Sequence, residues 1–237
     1  ADAGKAFRQH NVRQHGAIAE RIFADGDKTV RQRNGFQILA GAYLTLRNGK
    51  LGVAESAKNQ FYILLQNYGQ LDAYYMTLDG TNLDKWSATD GDSYVLSVNS
   101  GDVNFGFGTI IANDEGDKAY AFDVCDYPGY EGAPSVDVTG DSQIYGKVDL
   151  TAFGESSLTI FDSYFYDEVD ISKLTDKSDF VIVSGTYVND ISAYVLEGRT
   201  AVYEDGKYIV RLNQTGFGFL KNNETIPFTE GLTYTNA

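Results

Sequence analysis

Cysteine is nearly missing: Cys125 stands alone in 237 residues, so no intrachain disulfide and no cysteine-based zinc site can form. Packing must hold the fold, and Cys125 reads as a small buried residue. Only two histidines occur, His10 and His15, both near the start. The rest of the chain therefore lacks the imidazole needed for a Ser-His-Asp triad, a Cys-His pair or a multi-histidine metal centre. No apolar run approaches the roughly 18 residues of a membrane span, and the first residues lack the apolar core of a signal peptide. The chain is expected to be soluble, with Ala1 following removal of Met or of a longer leader. No glycine-rich phosphate loop followed by Lys and Ser or Thr is present, so nucleotide binding has no sequence support. No cofactor is expected.

Aromatic residues, by contrast, are plentiful. Seventeen Tyr and 14 Phe stand against three Pro, with 25 Gly available for turns. That composition suits half-buried pleated strands better than helices. Hydrophobic residues make up 43% and charged residues 22%, as in an ordinary globular chain rather than a disordered one. The expected class is mainly β.

Charge is divided unevenly along the chain. Residues 1–50 hold nine Lys or Arg against four Asp or Glu, and residues 51–237 hold ten against 29, or +5 and −19 within a total of −14. A basic arm on an acidic body favours self-association, since opposite fields attract and orient an encounter. An acidic body repels nucleic acid, so nucleic-acid binding is disfavoured outside the arm.

Residues 36–67 give the sharpest local signal. Two apolar runs flank Asn48 and Gly49, a pair suited to a tight type I′ hairpin. Before them, His15, Ile18, Ala19, Ile22 and Phe23 follow helical spacing, which predicts a short amphipathic helix within residues 6–24. Strands are expected at 36–39, 42–46, 50–53, 60–66 and 71–78, then at 94–98, 103–111 and 118–124. The continuously apolar run 61–65 reads as a strand covered on both faces. Alternation predicts Phe105 and Phe107 on one face, with Gly106 and Gly108 leaving the other open to another backbone.

Residues 126–140 hold Pro128, Pro134 and three glycines, which predicts a domain boundary or long crossover. Beyond it, strands are expected at 144–150, 157–161, 164–169, 180–183, 193–197, 200–203, 207–212 and 216–220, at the spacing of sandwiches and barrels. Asp205 and Gly206 predict a second tight hairpin. The expected organisation is a basic, partly helical N-terminal arm over residues 1–34 and two β-barrel or β-sandwich domains, 35–133 and 134–237.

Candidate chemistry is sparse. Paired carboxylates could serve a glycosidase, but most Asp and Glu stand beside Gly in turns, where solvation is the simpler expectation. Asp90 to Asp92 and Asp114 to Asp117 could offer oxygen ligands to calcium, without the spacing of an EF-hand loop. Trp86, Tyr74 with Tyr75, and Tyr164 with Tyr166 could supply stacking platforms for a sugar; cores and interfaces use the same residues.

The strings GAYLTLRNGKLGVA, DISKLTDKSDFVIVSGTYV and GRTAVYEDGKYIVRL resemble the short-stranded, turn-rich segments of tailed-bacteriophage virion proteins, especially capsid decoration (cement) proteins. The resemblance implies a non-enzymatic structural protein with β domains on the capsid surface and an arm reaching a neighbouring subunit. Its expected partners are capsid or other virion proteins, in homo-oligomeric or lattice contacts, with no membrane. Arg8, Arg13, Arg21, Arg31 and Arg33 would meet acidic patches on neighbours, while Phe7, Ile18, Ile22 and Phe23 fill apolar pockets. A phage tail-tube or other tail subunit, and a secreted carbohydrate-binding β-sandwich module, are the alternative expectations.

Overall fold

In β5 (Gln70–Asp79), Leu71 and Ala73 are buried, then Met76 and Leu78, so the two-residue alternation slips by one between its halves. The slip falls at Tyr75, whose φ is +55°. One left-handed residue bends the strand so that both halves present their apolar side chains to a common interior. The preceding strand, β3 (Tyr43–Gly52), behaves alike, with Leu44, Leu46 and Leu51 buried and Asn48 at φ +55°.

The computed structural model describes residues 12–14, 34–84, 92–113, 118–126, 129, 132–175, 179–213, 218–221 and 224–227. Ahead of β3 lie β1 (Val12–Gln14) and β2 (Asn34–Ile38), and β4 (Ile63–Asn67) precedes β5. Then come β6 (Ser93–Val98), β7 (Asp102–Gly106), β8 (Thr109–Ile111) and β9 (Ala119–Val124). After these follow β10 (Ser135–Thr139), β11 (Ser142–Tyr145), β12 (Lys147–Asp149), β13 (Ser157–Ile160) and β14 (Ser163–Phe165). The series continues with β15 (Val169–Asp170), β16 (Phe180–Ile182), β17 (Gly185–Tyr187), β18 (Arg199–Glu204) and β19 (Lys207–Leu212). A separate antiparallel pair, β20 (Gly218–Lys221) and β21 (Glu224–Pro227), ends the series.

Every third strand or so returns to pair in parallel with its predecessor, which makes a β-solenoid. One sheet runs β2, β4, β6, β9, β12, β15. A second joins the first half of β3 and of β5 to β7, β10, β13 and β16. A third joins their second halves to β8, β11, β14 and β17. Each coil thus contributes one segment to each sheet. In register, Leu44, Leu71, Val103, Val136, Leu158 and Phe180 form one buried file, and Leu65, Leu96, Phe122, Val148 and Val169 another. The files belong to one continuous core, in which each fully buried Leu, Ile, Val or Phe contributes roughly 1.5–3 kcal/mol.

The last coil is closed by three devices. β19 pairs antiparallel with β17 and carries β18 on its other edge. Val195 bridges Ile182, and Leu196 N–H donates to Ile182 O at 2.9 Å, covering β16. Asn189 imitates a strand beside β15: its Oδ1 accepts from Val169 N–H at 3.0 Å, and its Nδ2 donates to Val169 O at 2.9 Å. At the opposite end β1 pairs antiparallel with β3 through Leu44–Leu46.

Several expectations change. The mainly β class holds, but the sheets are parallel coils rather than barrels or sandwiches, and ladders β7–β10, β8–β11 and β9–β12 run across the expected boundary near Pro134. No hairpin forms at Asn48: Asn48 has the expected positive φ, but Gly49 does not, and β3 continues alongside β5. At Asp205 (φ +49°) and Gly206 (φ +80°) both residues are left-handed, as a type I′ turn needs, and the predicted hairpin forms between β18 and β19. Residues 192–194 form a 3-10 turn where a strand was expected, and β10, β17 and β21 were not anticipated. Val12–Gln14, within the expected helix, are extended. The run ending in β4 is buried throughout that strand, as predicted.

Candidate functional site

Alternation gives each sheet a second face opposite the apolar files, and in the β2–β15 sheet that face carries a polar file whose middle members, Gln66, Ser97 and Asp123, are buried. In register it reads Gln37, Gln66, Ser97, Asp123, Asp149, Asp170. Amides lead it: Gln37 Nε2 donates to Gln66 Oε1 at 3.1 Å, and Asn99 Nδ2 donates to Ser97 Oγ at 2.7 Å. Carboxylates finish it. Asp149 Oδ1 accepts Thr151 N–H at 2.8 Å, and Asp170 Oδ1 accepts Ser172 N–H at 3.0 Å, so both shape the turns that end their strands.

Asp123 is the unusual member. It is only 9% exposed, and burial, reinforced by the Asp149 charge, pushes its carboxyl up to about 7 despite hydrogen bonds from Ser97 and from Val98 N–H (3.1 Å). It can hold a proton at neutral pH beside a second carboxyl. Its burial and its bonds to Ser97 and Val98 give that proton a structural setting, with little surface for a substrate to reach. The same surroundings raise nearby groups: burial, then the Asp149 charge, lifts the Tyr120 phenol to about 12, and burial, then the Asp123 charge, lifts the Cys125 thiol to about 12. Cys125, half-buried rather than fully buried as expected, thus remains a thiol at neutral pH and lacks nucleophilic character. Among the described residues no group of three or more His, Cys, Asp or Glu is placed to hold a metal ion.

The corner between the second and third sheets exposes aromatic rings instead. Tyr75 and Phe107 are 55% and 49% exposed and both left-handed, at φ +55° and +52°. Their rings stack 5.1 Å apart with 16° between planes. Beneath the pair lies Gly140, where a Cβ would come within 2.5 Å of the Phe107 ring. Tyr74 lies over its ladder partner Gly106 in the same way, 2.9 Å from where that Cβ would be, with the Arg47 guanidinium 5.1 Å from its ring centroid. Phe161, 45% exposed, follows on a later coil. Phe105 and Phe107 therefore do not share a face: Phe105 is in the core, and the corner turns Phe107 outward. Gly108 does allow close approach, since a Cβ there would lie 2.6 Å from Met76 O.

A cleft of about 530 Å³ opens where the third sheet turns into the first. Small residues, Ala112, Ala119 and Gly146, and larger ones, Ile111, Asn113, Tyr145, Lys147 and Asp167, line it together. Coil geometry makes the cleft. Between β11 and β12 the chain turns on Gly146 alone, packed against Ala112 just after β8. Gly146 manages a one-residue corner at φ +120°, with its N–H donated to Asp167 Oδ2 at 2.8 Å. A Cβ there would sit 2.3 Å from Ala112 Cβ.

Of the residues expected to bind partners, only Arg13 is described, in β1 with its backbone opposite Thr45. Phe7, Arg8, Ile18, Arg21, Ile22, Phe23, Arg31 and Arg33 lie outside the described residues, as do Trp86 and the acidic turn 114–117. Tyr74, Tyr75, Tyr164 and Tyr166 are on the surface, but Tyr166 is no free platform: Tyr145 stacks on it at 4.3 Å and 3°, with Lys207 Nζ 5.2 Å from its centroid. Sequence reasoning missed Phe107 as an exposed residue, although its glycine neighbours could have flagged it. Nothing in the local sequence distinguishes Asp123 from the other aspartates.

Comparison with protein-family models, curated proteins and solved structures gave no significant match.

Proposed function

We propose that the chain is a non-enzymatic structural protein of a virus particle, a decoration protein that binds a capsid lattice through its corner aromatics and its basic N-terminal segment. The observation that carries this reading is the Tyr75–Phe107 pair. A bulky residue in the left-handed region costs of order 1–3 kcal/mol, and such strain gathers where function requires it. Here two successive coils accept it to hold apolar rings in solvent, the composition of an interface core awaiting a partner. The charge partition adds a second contact, with basic residues concentrated ahead of an acidic body. A solenoid repeats its surface along its axis, so weak contacts made at several coils and copies sum to firm attachment.

The test is solution mass by size exclusion with light scattering, on the full chain, on a chain beginning at Gly35, and on Tyr75→Asn/Phe107→Asn. Asparagine tolerates positive φ, so the double variant should melt no lower than the parent. Defined oligomers of the full chain that dissociate in either altered form support the reading. Oligomers unaffected by both changes, or a monomeric full chain that also fails to bind assembled capsids, would overturn it. A tail subunit would instead give rings or stacked tubes.

A further inference from the structure

We infer that the cleft between Tyr145, Lys147 and Asp167 is a binding site for one unit of a neutral saccharide, separate from the corner aromatics assigned to assembly. Its volume of about 530 Å³ falls in the range of roughly 300–1,000 Å³ typical of small-ligand sites. Its chemistry is that of a polyol site: small apolar surface from Ala112, Ala119 and Gly146 beside a few polar groups, Asn113, Lys147 and Asp167 among them. A sugar ring offers an apolar C–H face to such surface and hydroxyls to the polar groups. Lys147 supplies donors, and Asp167 and the Tyr145 hydroxyl, whose own proton is engaged by Tyr166, supply acceptors.

Charge argues for a neutral ligand. Lys147 and Asp167 stand on the same cleft with opposite charges, and the whole chain carries −14. An anionic ligand would meet Asp167 and the body field along with the one ammonium. A cationic one would be drawn by the body field but would meet the Lys147 ammonium at the cleft itself.

The site is also held in place before any ligand arrives. Tyr145 is fixed by stacking on Tyr166, whose hydroxyl donates to Gln143 Oε1 at 2.6 Å. Ile111, the ladder partner of Tyr145, lines the same cleft. Asp167 is held by the Gly146 N–H. Rings and carboxylates already fixed lose little freedom on binding. Of the aromatic platforms expected from sequence, Tyr166 takes part here only as the support of Tyr145.

The experiment is calorimetric titration of the full chain with cellotetraose, maltotetraose, chitotetraose, mannotetraose and, as an anionic control, tetragalacturonate. The expected result is saturable binding of at least one neutral oligosaccharide, weakened about tenfold or more by Tyr145→Ala and by Lys147→Met, while Tyr75→Asn/Phe107→Asn binds as the parent does. Thermal melts of each variant separate lost binding from lost folding, and Asp167→Asn, which keeps an oxygen for Gly146 N–H, serves if Tyr145→Ala fails to fold. Three results would overturn the inference: no neutral binding up to about 10 mM, preference for tetragalacturonate, or binding that survives the cleft variants and is lost on Trp86→Ala. None depends on whether the chain assembles.

Discussion

The early coils of the solenoid are long and the late ones short. Successive steps along one buried file, from Leu44 to Leu71, Val103, Val136, Leu158 and Phe180, take 27, 32, 33, 22 and 22 residues. Longer strands account for part of the difference, with 14 or 15 strand residues per coil from β4 to β11 against 10 and then 8 from β12 to β17; the rest lies between strands, as in residues 53–62, 80–92 and 125–134. Every coil keeps its place in the buried file, while the segments between strands differ in length from coil to coil. The cleft lies where the two regimes meet, and the closing devices follow the short coils.

The largest effect should come from opening the short-coil end. Deleting residues 199–237 leaves the edge of β17 unpaired and uncovers the core around Tyr187, which is fully buried. Aggregation or loss of a cooperative melt is expected, because an apolar sheet edge recruits other chains. A monomer with the parental melting temperature would show that the short coils stand without their hairpin.

A smaller and pH-dependent effect is expected in the long-coil region, at Asp123. Its carboxyl rises from 3.8 to about 7 on folding, so the folded state favours the protonated form. The associated stability is complete below about pH 4 and is lost as pH rises through about 7. Asp123→Asn removes that loss and keeps an oxygen for Val98 N–H. The variant should be more stable than the parent at pH 8, by on the order of 4 kcal/mol at most, with the gap closing towards pH 4. Denaturant titrations across that range measure it, and a gap independent of pH would remove burial of the carboxyl as its cause.

The smallest effect tests the corners directly. Inserting Gly-Ser after Gly129, which faces open space, should cost well under about 1 kcal/mol, or a few degrees of melting temperature at most. The same insertion after Gly146, whose turn is tied by Asp167 and packed on Ala112, should cost clearly more. Equal shifts would mean that long and short corners are equally permissive.

Much of the strand content was legible because alternation is local: β4, β5, β6, β9 and the β18–β19 hairpin fall close to where their apolar patterns predict. The coil was not, because steps of 22 to 33 residues leave no fixed period for a sequence reading to detect. Pro134 illustrates the limit. Proline and glycine there predict a domain boundary or long crossover over residues 126–140, but Ser135–Thr139 form β10, which pairs with both β7 and β13. The candidate cleft was equally hidden, since Ala112, Gly146 and Asp167 come from three different turns.

The sequence by itself determined the backbone's local options: strands where Leu, Val, Ile, Phe and Tyr alternate, and left-handed φ at Asn48 and at Asp205–Gly206. The tertiary structure decided what those options became. Asn48 turns a corner because β5 offers Gly49–Gly52 a parallel partner, whereas Asp205–Gly206 reverses the chain because β19 can pair with both β18 and β17. A dihedral preference involves one residue, but a partner strand comes from tens of residues away, and only the folded chain brings it near.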